Sequence, residues 1–351
     1  MPVIKHTLLN RKPPSLISLG KRTGESMRKN LKTAIITGIS GQDGLISTSM
    51  LINHGWNVVG ITRNLNSKRI SELTNLHRSV EIIQIDDSPS FYRDVITNFK
   101  PALFLHWGSP SSVKEPWSNP EETLTDLIIP TTAILQAIAC NIASKTALML
   151  PLSSEIFAKD GTGKSSLSER KLESIYAIGK NSLLDLTNLF RDKYDMQIFS
   201  PILFPHVSPL QSQNFFTSKI MKAIFDIKGG SKEKTLIGDL SANRDWSWAP
   251  TMVRHILNEI EKGANDSRTI GSGSLVSTSS VIEHFFSAAE ISDWQNHFLI
   301  DSQYLRKDGA LGNFAVNESE SIFVSPALPE WSKFYVDFAL SGKFLNYETI
   351  Q

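Results

Sequence analysis

A tyrosine and a lysine stand four residues apart in Ser174-Ile-Tyr176-Ala-Ile-Gly-Lys180. On a helix that spacing puts both side chains on one face, about one turn from each other. A lysine ammonium so placed stabilises a phenolate and lowers a phenol pKa that is ordinarily about 10. Upstream, an apolar run beginning at Thr146 ends in Ser153-Ser154-Glu155. A hydroxyl and a carboxylate delivered from that strand end would complete an acid–base cluster. Of the six tyrosines only Tyr176 has a lysine four residues later, so the pair gains its meaning from its place in the chain.

Positioning such a cluster requires a strand end and a following helix, and the chain supplies that alternation repeatedly. Unbroken apolar runs predict strands at 33–37, 57–62, 80–85, 102–107, 147–152 and 197–204. Helical patterns separate them, at 45–54, 121–140 and 175–193. Strands alternating with helices, and apolar on both faces, predict an α/β fold: a Rossmann-type doubly wound parallel sheet. Beyond about residue 205 the alternation weakens. Polar loops at 208–214, 228–234 and 263–268 separate short helices at 252–262 and 281–289. The expected organisation is an extension (1–30), a dinucleotide-binding domain (31–204), and a smaller, irregular substrate lobe (205–351) with some segments returning to the sheet.

Gly38-Ile-Ser-Gly41-Gln-Asp-Gly44 follows the first strand and opens a helix. There a Cβ would obstruct the tight turn, the approach of a pyrophosphate and the packing of helix on sheet. The helix N-terminus adds N–H donors and a favourable dipole. At the end of the second strand an acidic residue would hold a ribose 2′-hydroxyl and select NAD. The chain reads Gly60-Ile-Thr-Arg63-Asn64 instead, so NADP is expected, with Arg63 on the 2′-phosphate and Thr62 or Asn64 assisting. Asp86, closing the third strand, is a candidate for the adenine amino group or for capping its own loop.

Charge narrows the function classes. The formal net charge is +1, yet residues 1–30 hold seven Lys/Arg and one acid, leaving 29 basic and 34 acidic residues for the rest. A mildly acidic body offers no footprint for nucleic acid. The basic head, residues 1–30, reads as a disordered extension, from a start upstream of Met27, or as an organelle address. No unbroken apolar run reaches the roughly 18 residues of a membrane span, and no metal-ligand cluster stands out. The single cysteine, Cys140, excludes an intrachain disulfide and fits a reducing compartment, hence a cytoplasmic location. Its apolar surroundings predict a buried packing thiol.

These motifs resemble the extended short-chain dehydrogenase/reductases, and within them the GDP-mannose 4,6-dehydratases. The resemblance rests on Ile36-Thr-Gly-Ile-Ser-Gly-Gln-Asp-Gly44, Gly60-Ile-Thr-Arg63, Ser153-Ser-Glu155, Tyr176-x-x-x-Lys180, Ile202-Leu-Phe-x-His206, Thr217-x-Lys219-Ile220 and Gly238-Asp-Leu-x-Ala-x-Arg244-Asp-Trp246. It thins after residue 260 to Ile270-Gly-Ser-Gly273 and Asp301-x-x-Tyr304-x-Arg306. The resemblance implies dehydration of a nucleotide-diphosphate sugar, GDP-mannose first, by Ser153, Glu155, Tyr176 and Lys180. It implies that Gly38, Ser40, Gly41, Gln42, Asp43, Gly44, Trp107 and His206 join Arg63, Asp86, Tyr176 and Lys180 in holding NADP. Ser109, Ser154, Lys219, Arg244 and Arg306 would face the sugar nucleotide. Ser153 stands where the family has threonine; either offers a hydroxyl to the C4 oxygen.

Departures gather on the substrate side. After Phe204 the family has asparagine, histidine, glutamate, serine, proline and an arginine pair, where this chain has Pro205-His-Val-Ser-Pro-Leu210-Gln211. The family's arginines serve subunit contacts and a neighbour's cofactor, so a homodimer is expected more firmly than a tetramer. Gly108-Ser-Pro-Ser-Ser-Val113, Pro130 and Trp248 also differ from the pattern. Two further readings stand beside the dehydratase: an epimerase or 4-reductase, which needs Tyr–Lys but no C5 base, and a non-catalytic NADP-binding paralogue.

Overall fold

Thr33–Thr37 packs small and β-branched side chains on both faces, which suits a strand with no side in water, and it forms β1 in the middle of the sheet. The computed structural model describes residues 31–86, 88–110, 119–141, 145–157, 170–301, 315 and 325–341. The expected extension (1–30) and Arg306 therefore lie outside the described residues.

After β1 come α1 (Gln42–Asn53), β2 (Asn57–Thr62), α2 (Lys68–Leu76), β3 (Glu81–Gln84), α3 (Phe91–Phe99), β4 (Leu103–His106), α4 (Pro120–Cys140), β5 (Ala147–Met149), β6 (Leu152–Ser153), α5 (Ile175–Tyr194) and β7 (Ile198–Leu203). The second half contributes β8 (His206–Val207), α6 (Phe216–Lys228), β9 (Thr235–Ile237), β10 (Asn243–Asp245), β11 (Ser247–Trp248), α7 (Ala249–Glu261), β12 (Ser267–Ile270), β13 (Leu275–Ser277), α8 (Thr278–Ala288), β14 (Phe298–Ile300) and α9 (Leu328–Ser341).

The main sheet runs β12-β7-β5-β4-β1-β2-β3, with β6 also paired to β7, and every pairing in it is parallel. This is the doubly wound arrangement that the alternation predicts, with a change of strand direction in sequence between β1 and β4. Ligands in such sheets bind at the carboxyl ends of the strands beside that point. Register sets the neighbours there: Thr37 of β1 lies beside both His106 of β4 and Ile61 of β2. One apolar layer packs α1 and α7 on one face through Leu45, Met252, Val253 and Ile256. Another packs α3 and α4 on the opposite face through Val95, Ile96, Ile134 and Ile138.

Residues 263–268, expected as a loop, end inside a strand. β12 begins at Ser267 and joins the main sheet, with Ile270 beside Leu203. Four residues flanked by glycine and charge carry too little pattern to announce a strand; its pairing with β7 makes it one. Farther along, α6, α8 and α9 enclose a second core of Val281, Phe285, Phe286, Trp248, Trp331 and Tyr335. There the Phe285 and Tyr335 rings lie 4.9 Å apart.

Two other expectations change. Cys140 is exposed rather than buried. It shares the solvent stripe of α4 with Gln136, one turn before, while Ile134, Leu135 and Ile138 face the core. α4 is also long and apolar enough, by length and composition alone, to cross a membrane. Here its Leu127, Thr131, Ile134, Leu135 and Ile138 stripe is buried in the fold.

Candidate active site

The glycine turn has the geometry of a phosphate cradle. Gly38 has φ 64°, the left-handed region that favours glycine, and a Cβ there would come within 2.7 Å of Gly108. A Cβ on Gly44 would lie 2.3 Å from the Gly38 carbonyl oxygen. Gly41 caps α1 without a side-chain bond, which leaves first-turn amides pointing at the space a pyrophosphate would fill. The residues present thus fit a dinucleotide, as the spacing predicts.

Beside this turn the loop after β7 folds back onto its own chain. Ser208 donates to Gln42 Oε1 at 2.8 Å, and the Gln42 amide reaches the His206 carbonyl at 3.4 Å. Gln211 donates to the same carbonyl at 2.9 Å and accepts from Thr217 Oγ1 at 2.7 Å. Arg69 spans Ser40 O at 3.2 Å and Gln211 O at 3.3 Å. Leu210 is 2% exposed and belongs to the main core.

His206 pins this junction. Its Nδ1 lies 2.9 Å from Phe204 O and its Nε2 3.1 Å from Asp43 Oδ2. A carbonyl and a carboxylate only accept, so both ring nitrogens must donate and the ring is an imidazolium. Burial alone would pull its pKa down, but the Asp43 charge and hydrogen bond, with the Phe204 carbonyl, raise it.

The expected acid–base cluster assembles where β6 meets α5. Ser153 caps the 3-10 turn Ser154–Ile156, accepting from the Glu155 amide at 3.3 Å. Ser174 caps α5 by accepting from Ala177 N at 3.0 Å, which sets Tyr176 in the first turn and Lys180 one turn on. Gly179 lets α5 approach α4: a Cβ there would meet Leu127 Cδ1 at 2.5 Å. Ser153 hydrogen-bonds the Tyr176 phenol, and Glu155 stands near enough for its charge to act on it.

The expected low pKa of Tyr176 is not what this arrangement gives. Burial raises it, the Ser153 hydrogen bond lowers it and the Glu155 charge raises it again, for a net rise. Lys180 does not offset this. Its Nζ donates to Ser109 Oγ and to Pro151 O, each at 3.0 Å, and sits 5.6 Å from the Tyr176 ring centroid. Burial brings the Lys180 pKa down to about 7. Ser109, expected on the sugar, accepts from this lysine.

A second histidine lies behind the cluster. His106 is 1% exposed at the end of β4. Thr131 Oγ1 gives its one proton to Leu127 O at 2.7 Å, so His106 Nε2, 3.4 Å away, must donate to it. Burial, followed by the Lys180 charge, takes the His106 pKa down to about 3, so the ring is neutral. Nδ1 then accepts from Thr37 Oγ1 at 2.7 Å, and Thr37 in turn accepts from the Gly108 amide at 3.0 Å. Two histidines thus hold opposite states.

The other expected residues are placed as follows. Arg63 is 85% exposed and its Nη1 lies 3.6 Å from Asp126 Oδ2. Asp86 accepts from the Ser88 amide at 2.9 Å, the loop-capping alternative. The Trp107 indole donates to Ser47 of α1 at 3.0 Å. Ser40 meets Arg69 through its carbonyl, and Ser154 lies in the turn beside Glu155. Arg244 lies half-buried on β10, and Lys219 half-buried on α6. Asp245, next to Arg244, is fully buried and accepts from the Ser272, Gly273 and Ala315 amides at 2.7, 2.9 and 3.0 Å. Sequence reasoning missed Arg69, His106, Thr37 and Gln211. For His106 and Thr37 the signal was present, since both end adjacent parallel strands; Arg69 had none beyond its charge.

Residues 35–312 match the family model described as GDP-mannose 4,6 dehydratase. A GDP-mannose 4,6 dehydratase 1 of Arabidopsis thaliana is 27% identical over 290 residues, covering 79% of this chain and 80% of that protein. Among solved structures, a UDP-glucose 4-epimerase from Thermotoga maritima with UDP-glucose superposes with a TM-score of 0.75 at 16% identity, covering 88% of this chain and 99% of that one. A UDP-glucuronic acid 4-epimerase from Bacillus cereus, in complex with UDP-glucuronic acid and NAD, gives 0.73 at 16% identity over 88% and 99%.

Proposed function

The chain belongs to the GDP-mannose 4,6 dehydratase family, and on that premise we propose that it is an NADP-dependent nucleotide-sugar 4,6-dehydratase, with GDP-mannose the first substrate to try. The observation that carries this reading is Glu155 in the turn capped by Ser153, near enough to the Tyr176 phenol for its charge to act on it. Tyr176 takes the proton of the C4 hydroxyl while Ser153 donates to the C4 oxygen. The cofactor, which the glycine turn and Lys180 would hold, would supply a hydride acceptor for C4 and, once reduced, the hydride returned to C6. Oxidation at C4 acidifies the C5 proton; Glu155 removes it, then protonates the departing C6 hydroxyl, and C5 takes up the proton that Tyr176 accepted as hydride reaches C6. Each positioned proton transfer contributes about 10²–10⁴-fold, and alignment supplies much of the remainder. A phenol raised by burial suits a proton acceptor once a cation is bound against it, since opposite charge favours the phenolate.

Lys219 and Arg244, with Arg306 outside the described residues, are proposed for the diphosphate, where guanidinium forks suit phosphate oxygens. The protein is proposed to act in the cytoplasm as a homodimer. Ile178 and Leu189 are exposed on one stripe of α5 and Ile129 on α4, a surface a second copy would cover. With Leu210 and Gln211 engaged inside the chain, no arm is left there for a neighbour's cofactor, which supports a dimer over a tetramer.

An epimerase or 4-reductase needs the Tyr–Lys pair but no C5 base, so the position of Glu155 favours dehydration. The deciding experiment incubates the protein and NADP⁺ with a panel of nucleotide sugars and reads loss of water by mass spectrometry. Water loss from GDP-mannose is expected. Epimerisation without water loss, or cofactor binding with no turnover of any sugar, would each replace this reading.

A further inference from the structure

Arg69 is the second residue of α2 and had no role in the motifs. Its guanidinium is half-buried, and among the described residues its polar partners are two backbone carbonyls, Ser40 O and Gln211 O. Neither neutralises its charge. Two of its five N–H groups are used, so three remain for another acceptor. A half-buried cation held by neutral acceptors is completed by an anion, and a phosphate matches the guanidinium fork in two parallel bonds.

The position says which phosphate. Ser40 lies in the turn after β1, and β2 runs beside β1 with Ile61 against Thr37. In this architecture the adenosine ribose of a dinucleotide sits at the end of β2. No acid stands there to take a 2′-hydroxyl: the strand leaves as Thr62-Arg63-Asn64. Arg63 is the obvious cation by sequence, but it is 85% exposed and turned to Asp126, an arrangement water screens.

We propose that Arg69, rather than Arg63, selects the 2′-phosphorylated dinucleotide, its guanidinium held by Ser40 and Gln211 with the remaining donors facing the 2′-phosphate. This rests on the reading that the glycine turn holds a nicotinamide dinucleotide. It also gives the loop after β7 a function, because Gln211 from that loop helps aim the guanidinium.

The test is fluorescence titration of the full chain with NADPH and with NADH, for the wild type, Arg69→Met, Arg69→Lys and Arg63→Ala. The wild type should prefer NADPH. Arg69→Met should weaken NADPH by about 30-fold or more, the loss of a charge-assisted bidentate contact, and change NADH by less than about threefold. Arg69→Lys keeps charge without the fork and should fall between, and it decides by the same NADPH-to-NADH ratio should Arg69→Met not fold. Arg63→Ala should leave the preference within about threefold. Equal weakening of both cofactors makes Arg69 a brace only and overturns the proposal, as does loss of the preference in Arg63→Ala. A wild type that binds NADH at least as well as NADPH overturns it while leaving the dinucleotide reading standing. A wild type that binds neither removes both.

Discussion

The β5–α5 stretch and the β7–α6 stretch both leave the carboxyl edge of the main sheet, yet they carry different information. In the first, Ser153, Glu155, Tyr176 and Lys180 keep the residue types of a proton-transfer cluster, and the helix cap at Ser174 sets their spacing. In the second, the residue types have changed, and the replacements face inward. Leu210 sits in the main core, and Gln211 ties the loop to His206, Thr217 and Arg69. A substitution that reads in sequence as a lost outward contact is here a gained inward one. Chemistry constrains what a side chain is; packing constrains only whether it fills space and satisfies its neighbours.

The contrast can be broken most severely at the catalytic end. Tyr176→Phe should reduce turnover by about 10²–10⁴-fold while cofactor affinity holds, since it removes one positioned proton carrier. Steady-state rates with parallel cofactor titrations check this. Glu155→Gln should lose water elimination by a similar factor and retain cofactor reduction by the sugar, seen as absorbance of reduced cofactor without dehydrated product. Reduction and dehydration failing together would mean that Glu155 serves the first step too.

At the other stretch the expected effects fall on stability. Leu210→Arg, which returns a family-type residue, should cost about 3–5 kcal/mol, because it places an unpaired charge in the core. Urea unfolding measures it; a neutral result would show that the loop can turn outward. Behind the cluster, Thr37→Val should cost about 1–3 kcal/mol by stripping partners from His106 Nδ1 and the Gly108 amide.

The smallest effect is a pH dependence at the pin between the two stretches. The His206 pKa is raised in the folded protein above its ordinary 6.5. A raised pKa means that the folded state binds the proton more tightly, so its stabilisation is full below 6.5 and is lost as pH rises through the folded value. Thermal midpoints from pH 6 to 9 should fall more steeply for the wild type than for His206→Gln. Parallel slopes would remove the imidazolium.

Much of this was legible beforehand. The strands 33–37 and 57–62 and the glycine turn announce themselves because buried parallel strands need unbroken apolar runs and a phosphate turn needs missing side chains. The pair Tyr176 and Lys180 was legible through helical spacing. The low phenol pKa expected from that pair was not realised, because spacing along a helix fixes which face two residues share but not what else bonds the lysine. Ser109, after β4, and Pro151, between β5 and β6, take two of its donors. Arg63 shows a similar limit: charge near the right strand end is visible in sequence, but its exposure and its pairing with Asp126 are not. β12 escaped because four residues acquire strand character from a neighbour distant in the chain.

The sequence by itself determined most of the main sheet's strands, the glycine turn and the residue types of the candidate cluster, since each depends on local pattern. The tertiary structure alone decided how those residues are charged. His106 and His206 are the same side chain. One is neutral because two threonines and burial leave no acceptor for a second proton, and the other is an imidazolium because a carbonyl and Asp43 accept on both sides. Protonation follows the partners that folding brings within about 3 Å, and most of those partners, Asp43, Thr37 and Thr131 among them, are many residues away along the chain.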